Sequence, residues 1–247
     1  MSELYLELPT RICIVGASST GKTELIKRMI MRGDFGSKGE LEVMLFSPSE
    51  ITLDQRCWRL LREKNIRLST NHLTKTTPPP CNPEEGIRRV IIFDDLDDAM
   101  VLPKWIVERF TIASHHLNES IICISHRLRI GVVEIRSSAN WIILTAAPES
   151  SLRETCKSLG AEYEVVKGWL SNPTNLVESS PGQFKSYNHV VIRQSFCVDG
   201  EGRPSAKYYK VNPLTEVRCL RALCQKDAPS IHQGKNFNLY SDHDAVV

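Results

Sequence analysis

Residues 16–23, GASSTGKT, match the pattern G-x-x-x-x-G-K-[ST] without exception, and no other feature constrains the fold of this chain as strongly. An apolar run, ICIV (12–15), precedes the loop, and TELIKRMIM (23–31) follows it with apolar residues at helical spacing. A phosphate-binding loop requires this strand–loop–helix context, because its backbone N–H groups and the helix N-terminus converge on a phosphate. The alternative is a Gly/Ser turn that merely precedes a helix.

All eight loop residues are therefore predicted to bind a nucleotide. Lys22 is predicted to reach the β- and γ-phosphates, and the Thr23 hydroxyl to bind Mg²⁺. The predicted nucleotide-binding residues are Gly16, Ala17, Ser18, Ser19, Thr20, Gly21, Lys22 and Thr23.

A second motif, VIIFDDLDD (90–98), is typical of the strand that faces such a loop, since an apolar run ends in carboxylates. Asp94 is predicted to hold Mg²⁺ through water, and Asp95 to polarise the attacking water as a catalytic base. Charges at the end of a buried strand are costly unless a metal or hydrogen bonds offset them. The alternative is an acidic cap on the next helix, which Asp97 and Asp98 could provide alone.

Strand-like runs alternate with helical patterns through the first two thirds of the chain, which predicts a parallel sheet with right-handed crossovers. The proline-broken stretch 69–86 is predicted to be an exposed excursion. Residues 188–198 and 206–211 predict a β-hairpin around a glycine-rich loop. Further strands are predicted at 41–47, 90–95, 121–125 and 141–146, and helices at 53–65, near 103–117 and at 148–159.

The predicted fold class is α/β: a P-loop NTPase with a mostly parallel central sheet flanked by helices, plus a C-terminal β-hairpin extension. We expect an ATPase core at 1–165, a β-rich extension at 166–215 and a polar, flexible tail at 216–247.

Composition narrows the class of protein further. The 247 residues are 41% hydrophobic and 24% charged, which excludes collagen-like, disordered and coiled-coil chains. A net charge of only +2 means that binding to nucleic acid must rely on local patches. No apolar run approaches the roughly 18 residues of a membrane span, and the short acidic N-terminus is not a secretory signal. Eight cysteines without a CxxC pair indicate an intracellular protein with reduced thiols.

The phosphate loop and the acidic strand at 90–98 are compatible with three classes of protein. These are a nucleoside or nucleotide kinase, a regulatory NTPase switch, and a nucleic-acid motor. The acid doublet favours hydrolysis by water. Nucleotide kinases use the acceptor's hydroxyl and usually carry an Arg-rich lid. The chain contains no Asn/Thr-Lys-x-Asp guanine element, which argues against a GTP switch.

The stretch 122–162 resembles the viral genome-packaging ATPases of the FtsK–HerA superfamily, found in poxvirus-like, polinton-like and related double-stranded DNA viruses. In that family a strand ends in a polar sensor, often Gln after Ser or Thr, and an I-R-x-x-x-N step leads into the next strand. The matching residues here are Ser125 with His126, then Ile135, Arg136 and Asn140. FSPSE (46–50) also looks like the family's Ser-Pro turn. The resemblance covers roughly residues 10–165, and His126 departs from the usual glutamine.

The resemblance implies roles for two further residues. His126 would be a sensor that donates to the γ-phosphate or the attacking water. Arg136 would be an arginine finger acting on the neighbouring subunit's ATP, with Arg127 and Arg129 as rivals that could instead be solvated loop charges.

The resemblance also implies a function: an ATP- and Mg²⁺-dependent homo-oligomeric ring that translocates double-stranded DNA into capsids, docked on a capsid vertex or portal-like protein. Its expected location is the infected host cell, in the nucleus or at a viral assembly site, with association with the virion left open. The alternatives are a P-loop nucleoside or nucleotide kinase and a non-motor regulatory P-loop NTPase.

Two weaker signals concern other ligands. The segment 56–67 carries five basic residues that could follow a DNA backbone, although a charge run is more often a solvated face. Cys219, Cys224 and His232 do not fit a zinc pattern, and His115 and His116 are interpreted as a helix end.

Overall fold

A computed structural model of the chain describes residues 4–6, 8–37, 40–64, 66–73, 78–79, 84–96, 102–113, 117–126, 133–171, 176–180, 183–186, 189–193, 207–211 and 217–219. The predicted tail at 216–247 lies almost wholly outside these residues.

The described residues form twelve strands, numbered here in chain order. They are β1 Leu4–Leu6, β2 Arg11–Val15, β3 Leu41–Ser47, β4 Arg67–His72, β5 Arg88–Leu96, β6 Glu119–Ser125, β7 Trp141–Leu144, β8 Leu176–Ser180, β9 Gln183–Ser186, β10 His189–Arg193, β11 Lys207–Val211 and β12 Val217–Cys219.

Seven helices connect or follow these strands. They are α1 Lys22–Arg32, α2 Glu50–Leu53, α3 Arg56–Glu63, α4 Lys104–Glu108, α5 Val133–Ser138, α6 Glu149–Leu159 and α7 Tyr163–Leu170, with α4 continuing as a π-helical turn over Arg109–Ala113.

Eight strands build the main sheet, in the order β11-β10-β7-β2-β6-β5-β3-β4. The six strands from β7 to β4 are parallel to their neighbours, and β10 runs antiparallel to both β7 and β11. The mostly parallel sheet predicted from the sequence is therefore confirmed, and the predicted C-terminal hairpin adds two strands to it.

Helices cover both faces of this sheet. Alternate residues of β2 show why: Ile12 and Ile14 pack with α1 and α3 on one face, whereas Cys13 and Val15 pack with α4 to α7 on the other. Strands that are buried on both faces have to be apolar along their whole length, which explains the near-continuous runs in the sequence.

The structure corrects three predicted elements. The helix predicted at 53–65 is shorter, α3 at Arg56–Glu63, and a separate short helix precedes it, α2, which Ser49 caps and Asp54 ends. Part of the predicted excursion at 69–86 is β4, an edge strand whose polar residues within that stretch are half-buried. The helix predicted near 103–117 ends as a π-helical turn at Ala113.

The amino-terminal edge of the parallel sheet holds a buried ion cluster. Glu119 begins β6 and is completely buried. Its carboxylate accepts hydrogen bonds from Arg89 at 2.9 Å and from two nitrogens of Arg109 at 2.6 and 2.7 Å. The other side of Arg89 donates to Glu42 at 2.7 Å. Such a cluster fixes the start of three neighbouring elements to one another.

Candidate nucleotide-binding site

The loop 16–21 joins β2 to α1 at the carboxyl edge of the sheet, and two glycines allow its path. A Cβ on Gly16 would collide with the Thr145 hydroxyl at the end of β7. Gly21 caps α1 with φ of 86°, a left-handed conformation that side chains oppose. The glycine positions of the motif are therefore dictated by space and by backbone angle.

Hydrogen bonds hold the loop in place against β7. The Thr20 and Thr145 hydroxyl oxygens lie 2.6 Å apart, and the Thr20 hydroxyl also donates to the carbonyl of Ala17 at 2.8 Å. The amide of Ala17 donates to the carbonyl of Ala146 at 2.8 Å. A loop anchored at these points keeps its backbone N–H groups preorganised for an anion.

Lys22 directs its charge into the loop. Its ammonium donates to the carbonyls of Gly16 and Ala17, both at 2.7 Å, and the side chain is only 7% exposed. Burial lowers the pKa of Lys22, while the nearby Asp94 and Asp95 raise it in part. A partly desolvated cation at this position is suited to bind phosphate oxygens.

Asp94 lies near the carboxyl end of β5, where its carboxylate faces Thr23 of α1. Its carboxylate accepts from the Thr23 hydroxyl at 3.4 Å, and the residue is 4% exposed. Burial, and then repulsion from Asp95, raise the pKa of Asp94 from 3.8 to about 6. Hydroxyl and carboxylate oxygens are donors that Mg²⁺ prefers, and Mg²⁺ usually keeps several waters, so the Thr23 hydroxyl could bind it directly and Asp94 through water. Thr23 and Asp94 therefore fit the predicted metal site.

Asp95 has an unusual backbone. Its φ is 64°, one of three positive values among described non-glycine residues, and the pairing of β5 with β6 is irregular between Phe93 and Leu96. This irregularity turns the Asp95 side chain into the cavity. There one carboxylate oxygen accepts from the Thr52 hydroxyl at 3.4 Å.

His126 follows β6 and connects Asp95 to the phosphate loop. Its Nε2 lies 3.0 Å from the other carboxylate oxygen of Asp95, and its Nδ1 lies 3.4 Å from the Ser18 hydroxyl. A carboxylate can only accept, so Nε2 carries the proton and Nδ1 accepts from Ser18. Because β6 lies between β2 and β5, a residue at its end is placed between the loop and the acids.

A single cavity of about 870 Å³ unites these groups. It is lined by most of the loop and by Asp94, Asp95 and His126. Other lining residues were not identified as site residues by the sequence reasoning, among them Arg28, Thr52, Gln55 and His189. Thr52 belongs to α2, the short helix that follows β3, so the rule that carboxyl ends of parallel strands meet at one edge could have found it. His189 belongs to an antiparallel strand, and nothing local in its sequence signals its position.

The phosphate loop and the two acids lie at one edge of a parallel sheet, with β6 inserted between the strands that carry them. Helices cover both faces of this sheet. This is the fold of the P-loop NTPases.

The arginine-finger candidates lie at the margin of what the structure describes. The backbone of Arg136 belongs to α5, but its side chain is outside the described residues, as are Arg127 and Arg129. The rest of the I-R-x-x-x-N step has structural partners. Ile135 is buried, and the Asn140 side-chain oxygen accepts from the backbone N–H of Arg11 at 3.0 Å.

The basic segment 56–67 has contacts that account for most of its described charges. Arg59 pairs with Asp54, Arg67 pairs with Glu84, and Arg62 donates to the Thr70 hydroxyl. A zinc-type cluster of three or more metal-binding side chains is absent from the described part of the chain. His115, His116, Cys224 and His232 lie outside it. Within the same part, no helix is long and apolar enough to cross a membrane.

No protein-family model and no curated protein matches the chain. Among solved structures, the genome packaging NTPase of Sulfolobus turreted icosahedral virus 2 in complex with ATP-gammaS is similar with a TM-score of 0.47 and 14% identity, over 81% of this chain and 96% of that one. The DNA-packaging ATPase of Sulfolobus turreted icosahedral virus gives 0.49 and 13%, over 81% and 97%.

ATPases 2 and 3 of EssC from Geobacillus thermodenitrificans give a TM-score of 0.45 and 10% identity, over 84% of this chain and 40% of that one. At these identities and TM-scores, the similarities say nothing about substrate or partner. Function has to be derived from the site itself.

Proposed function

We propose that the chain is an ATP-hydrolysing motor that moves double-stranded DNA into viral capsids. The position of Asp95 carries the hydrolytic part of this proposal. Its carboxylate faces the phosphate cavity and is held from two sides by Thr52 and His126. A left-handed backbone on a non-glycine residue costs about 1–3 kcal/mol, and such conformations cluster at functional sites. The strain at Asp95 supports a catalytic role for this residue.

Binding of the triphosphate rests on the loop and on Lys22. The backbone N–H groups, the N-terminus of α1 and the buried ammonium converge on one small volume, so each adds favourable charge to the others. Mg²⁺ held by Thr23 and Asp94 supplies neutralisation of charge on the β- and γ-phosphates.

Asp95 is the proposed general base. It accepts a proton from the water that attacks the γ-phosphate, while the Nε2 proton of His126 keeps its carboxylate in one orientation. His126 also contacts Ser18 of the loop, so the orientation of the base is tied to the element that binds phosphate. In this scheme His126 is a positioning residue. For the proposed sensor role, its Nε2–H would have to turn from Asp95 and donate to the γ-phosphate or to the attacking water.

The DNA-translocating part rests on the sequence resemblance over roughly residues 10–165. In this part of the proposal, the chain forms a homo-oligomeric ring on a capsid vertex or portal-like protein. The ring works in the infected cell, at the site of packaging. Arg136 is proposed to reach the neighbouring subunit's ATP. Because Arg59 and Arg67 pair with acids, the basic segment 56–67 is better explained as a solvated helix face than as a DNA-binding surface.

Two variants test the hydrolytic proposal. Lys22→Ala should bind ATP poorly and release no phosphate, because it removes the buried cation. Asp95→Asn should bind ATP normally and hydrolyse it about 10²–10⁴-fold more slowly, since an amide cannot accept the proton. Asparagine also tolerates a left-handed backbone, so the fold should be retained. ATP binding and phosphate release are measured side by side.

Matched controls are available on the same elements. Lys27→Ala removes a lysine of α1 that pairs with Glu24 and does not line the cavity. Asp54→Asn removes an exposed acid that pairs with Arg59. Both should hydrolyse ATP at the wild-type rate. Normal hydrolysis by Asp95→Asn would place the base elsewhere, and transfer of phosphate to a nucleoside in place of water would favour the kinase.

A further inference from the structure

His189 lines the nucleotide cavity, and nothing in the proposed reaction uses it. His189 begins β10 and is only 3% exposed, yet neither ring nitrogen has a hydrogen-bond partner among the residues that the structure describes. Among described buried side-chain atoms without such a partner, only those of His189 belong to a residue that lines this cavity. Buried polar groups without partners are costly, so a ligand that satisfies them is the simplest reason for their presence.

Strand pairing fixes the distance of His189 from the phosphate loop. Val190 lies opposite Leu144 on β7, and Leu144 lies opposite Val15, which precedes the loop. His189 therefore stands at the carboxyl edge of the sheet, two strand spacings from β2. Two spacings amount to about 10 Å.

The other groups of the site fix the direction in which a nucleotide must lie. Asp94, Asp95 and His126 belong to β5 and β6, on one side of β2. The γ-phosphate has to lie on that side if these groups are to act on it. The ribose and the base then extend over β7 and β10, toward His189.

The electrostatic environment keeps the imidazole neutral. Burial, and then the positive charge of Arg28, lower the pKa of His189 to about 4. A neutral imidazole offers one N–H donor and one nitrogen acceptor. The two ring nitrogens point in divergent directions, so one of them bonds to a given base edge, which offers it an acceptor nitrogen or carbonyl or an amino or imino N–H.

We propose that His189 recognises the purine base of the bound nucleotide and gives the site its preference for purine over pyrimidine nucleotides. A pyrimidine ring is shorter than a purine, so its edge ends further from a residue at this distance. The inference rests on the proposed nucleotide site, but it does not depend on hydrolysis or on DNA.

The test compares ATP, CTP and inorganic tripolyphosphate as ligands. Wild-type protein should bind ATP at least about tenfold more tightly than CTP, the difference expected for one well-made hydrogen bond. His189→Leu should bring the two affinities within about threefold of each other, chiefly by weakening ATP. Tripolyphosphate, which has no base, should bind both proteins equally. His189→Leu should also melt at the same or a higher temperature without ligand, because it removes two unpartnered polar atoms.

Controls distinguish a failure of this inference from a failure of the proposed nucleotide site on which it rests. Val191→Ala lies on the same strand and face but packs in the core, so it should lower the melting temperature and leave the ATP-to-CTP ratio unchanged. Lys22→Ala should lose tripolyphosphate as well as ATP. If wild-type protein binds no tripolyphosphate, the phosphate site and this inference both fail. An unchanged ATP-to-CTP ratio in His189→Leu overturns this inference alone.

A measurement on the wild-type protein covers the case in which His189→Leu does not fold. The ring ¹⁵N signals of His189 are assigned by their loss in His189→Asn, and they should shift on addition of ATP and stay in place with tripolyphosphate. No shift with ATP overturns the proposal.

Discussion

Lys22 and Asp94 are two buried charged residues beside the phosphate loop, and burial favours the neutral form of each. It lowers the pKa of Lys22 and raises that of Asp94, although each partly offsets the effect on the other. The site thus carries a desolvation cost that a bound phosphate and a bound cation relieve. This cost explains why such residues are held by fixed partners, two carbonyls for Lys22 and a hydroxyl for Asp94.

The raised pKa of Asp94 predicts how stability depends on pH. In the unfolded chain Asp94 ionises near its ordinary value of 3.8, and in the folded protein near 6. The contribution of this group is therefore most favourable below about pH 4 and is lost as pH rises through about 6. The difference of about two pKa units corresponds to roughly 3 kcal/mol.

Asp94→Asn should remove that dependence. In the presence of EDTA, we expect the variant to be more stable than wild type at pH 7.5, by up to ~3 kcal/mol, with a smaller difference at pH 5. Adding Mg²⁺ should stabilise wild type and not the variant. Urea denaturation at the two pH values measures this, and a wild-type protein that is the more stable of the two at pH 7.5 in EDTA would contradict it.

At the scale of elements, what could be predicted from the sequence depended on how local the signal was. The β2–loop–α1 unit and the apolar run of β5 carry their own patterns, so both could be located from the sequence. β4 was missed because an edge strand with polar residues lacks the apolar run of a central one. The placement of β6 between β2 and β5 and that of His189 beside β7 depend on pairing between distant segments, which no local pattern encodes.

The burial of individual side chains could not be predicted from the local sequence pattern either. No local pattern indicates that Lys22 is only 7% exposed, which it is because its ammonium folds back onto the loop carbonyls. Removal of Lys22 therefore deletes two hydrogen bonds as well as a charge.

The ion cluster at the amino-terminal edge gives a prediction at the same scale. Glu119→Gln should destabilise the fold by roughly 3–5 kcal/mol, because it leaves Arg89 and Arg109 buried with an uncompensated charge. Glu108→Gln, on the half-exposed i,i+4 pair with Lys104, should change stability by less than about 1 kcal/mol. Denaturant unfolding compares them, and similar effects of the two substitutions would show that the cluster has no special role in stability.

At the scale of the whole molecule, the two edges of the parallel sheet have different roles. The carboxyl edge gathers the loop, both acids and His126 around one cavity, whereas the opposite edge is fixed by the buried ion cluster. Left-handed backbone on non-glycine residues occurs at Ser19 and Asp95 on the carboxyl edge and, among the described residues, also at Asn118 just before β6 on the opposite edge.

A ring in which subunits complete one another's sites makes a prediction for Arg136. Arg136→Ala should bind ATP with near-normal affinity, while hydrolysis in the assembled ring should fall by about 10³–10⁵-fold. Mixing it with Lys22→Ala should restore part of the activity, because an intact pocket then faces an intact finger in some neighbouring pairs. Loss of ATP binding, or no rescue in any mixture, would count against a role in trans. A DNA-binding role predicts instead that basal turnover survives and only its stimulation by DNA is lost.

The rate of phosphate release from Mg²⁺-ATP, measured with and without double-stranded DNA, tests the central claim most directly. Asp95→Asn serves as the background, and the size of the assembly is recorded in the same samples. The proposed motor predicts that wild type forms an oligomer whose turnover increases when double-stranded DNA is added. It also predicts that Asp95→Asn lowers this turnover by about 10²–10⁴-fold. Phosphate release that DNA leaves unchanged would contradict the motor, and release that survives Asp95→Asn would contradict the catalytic site itself.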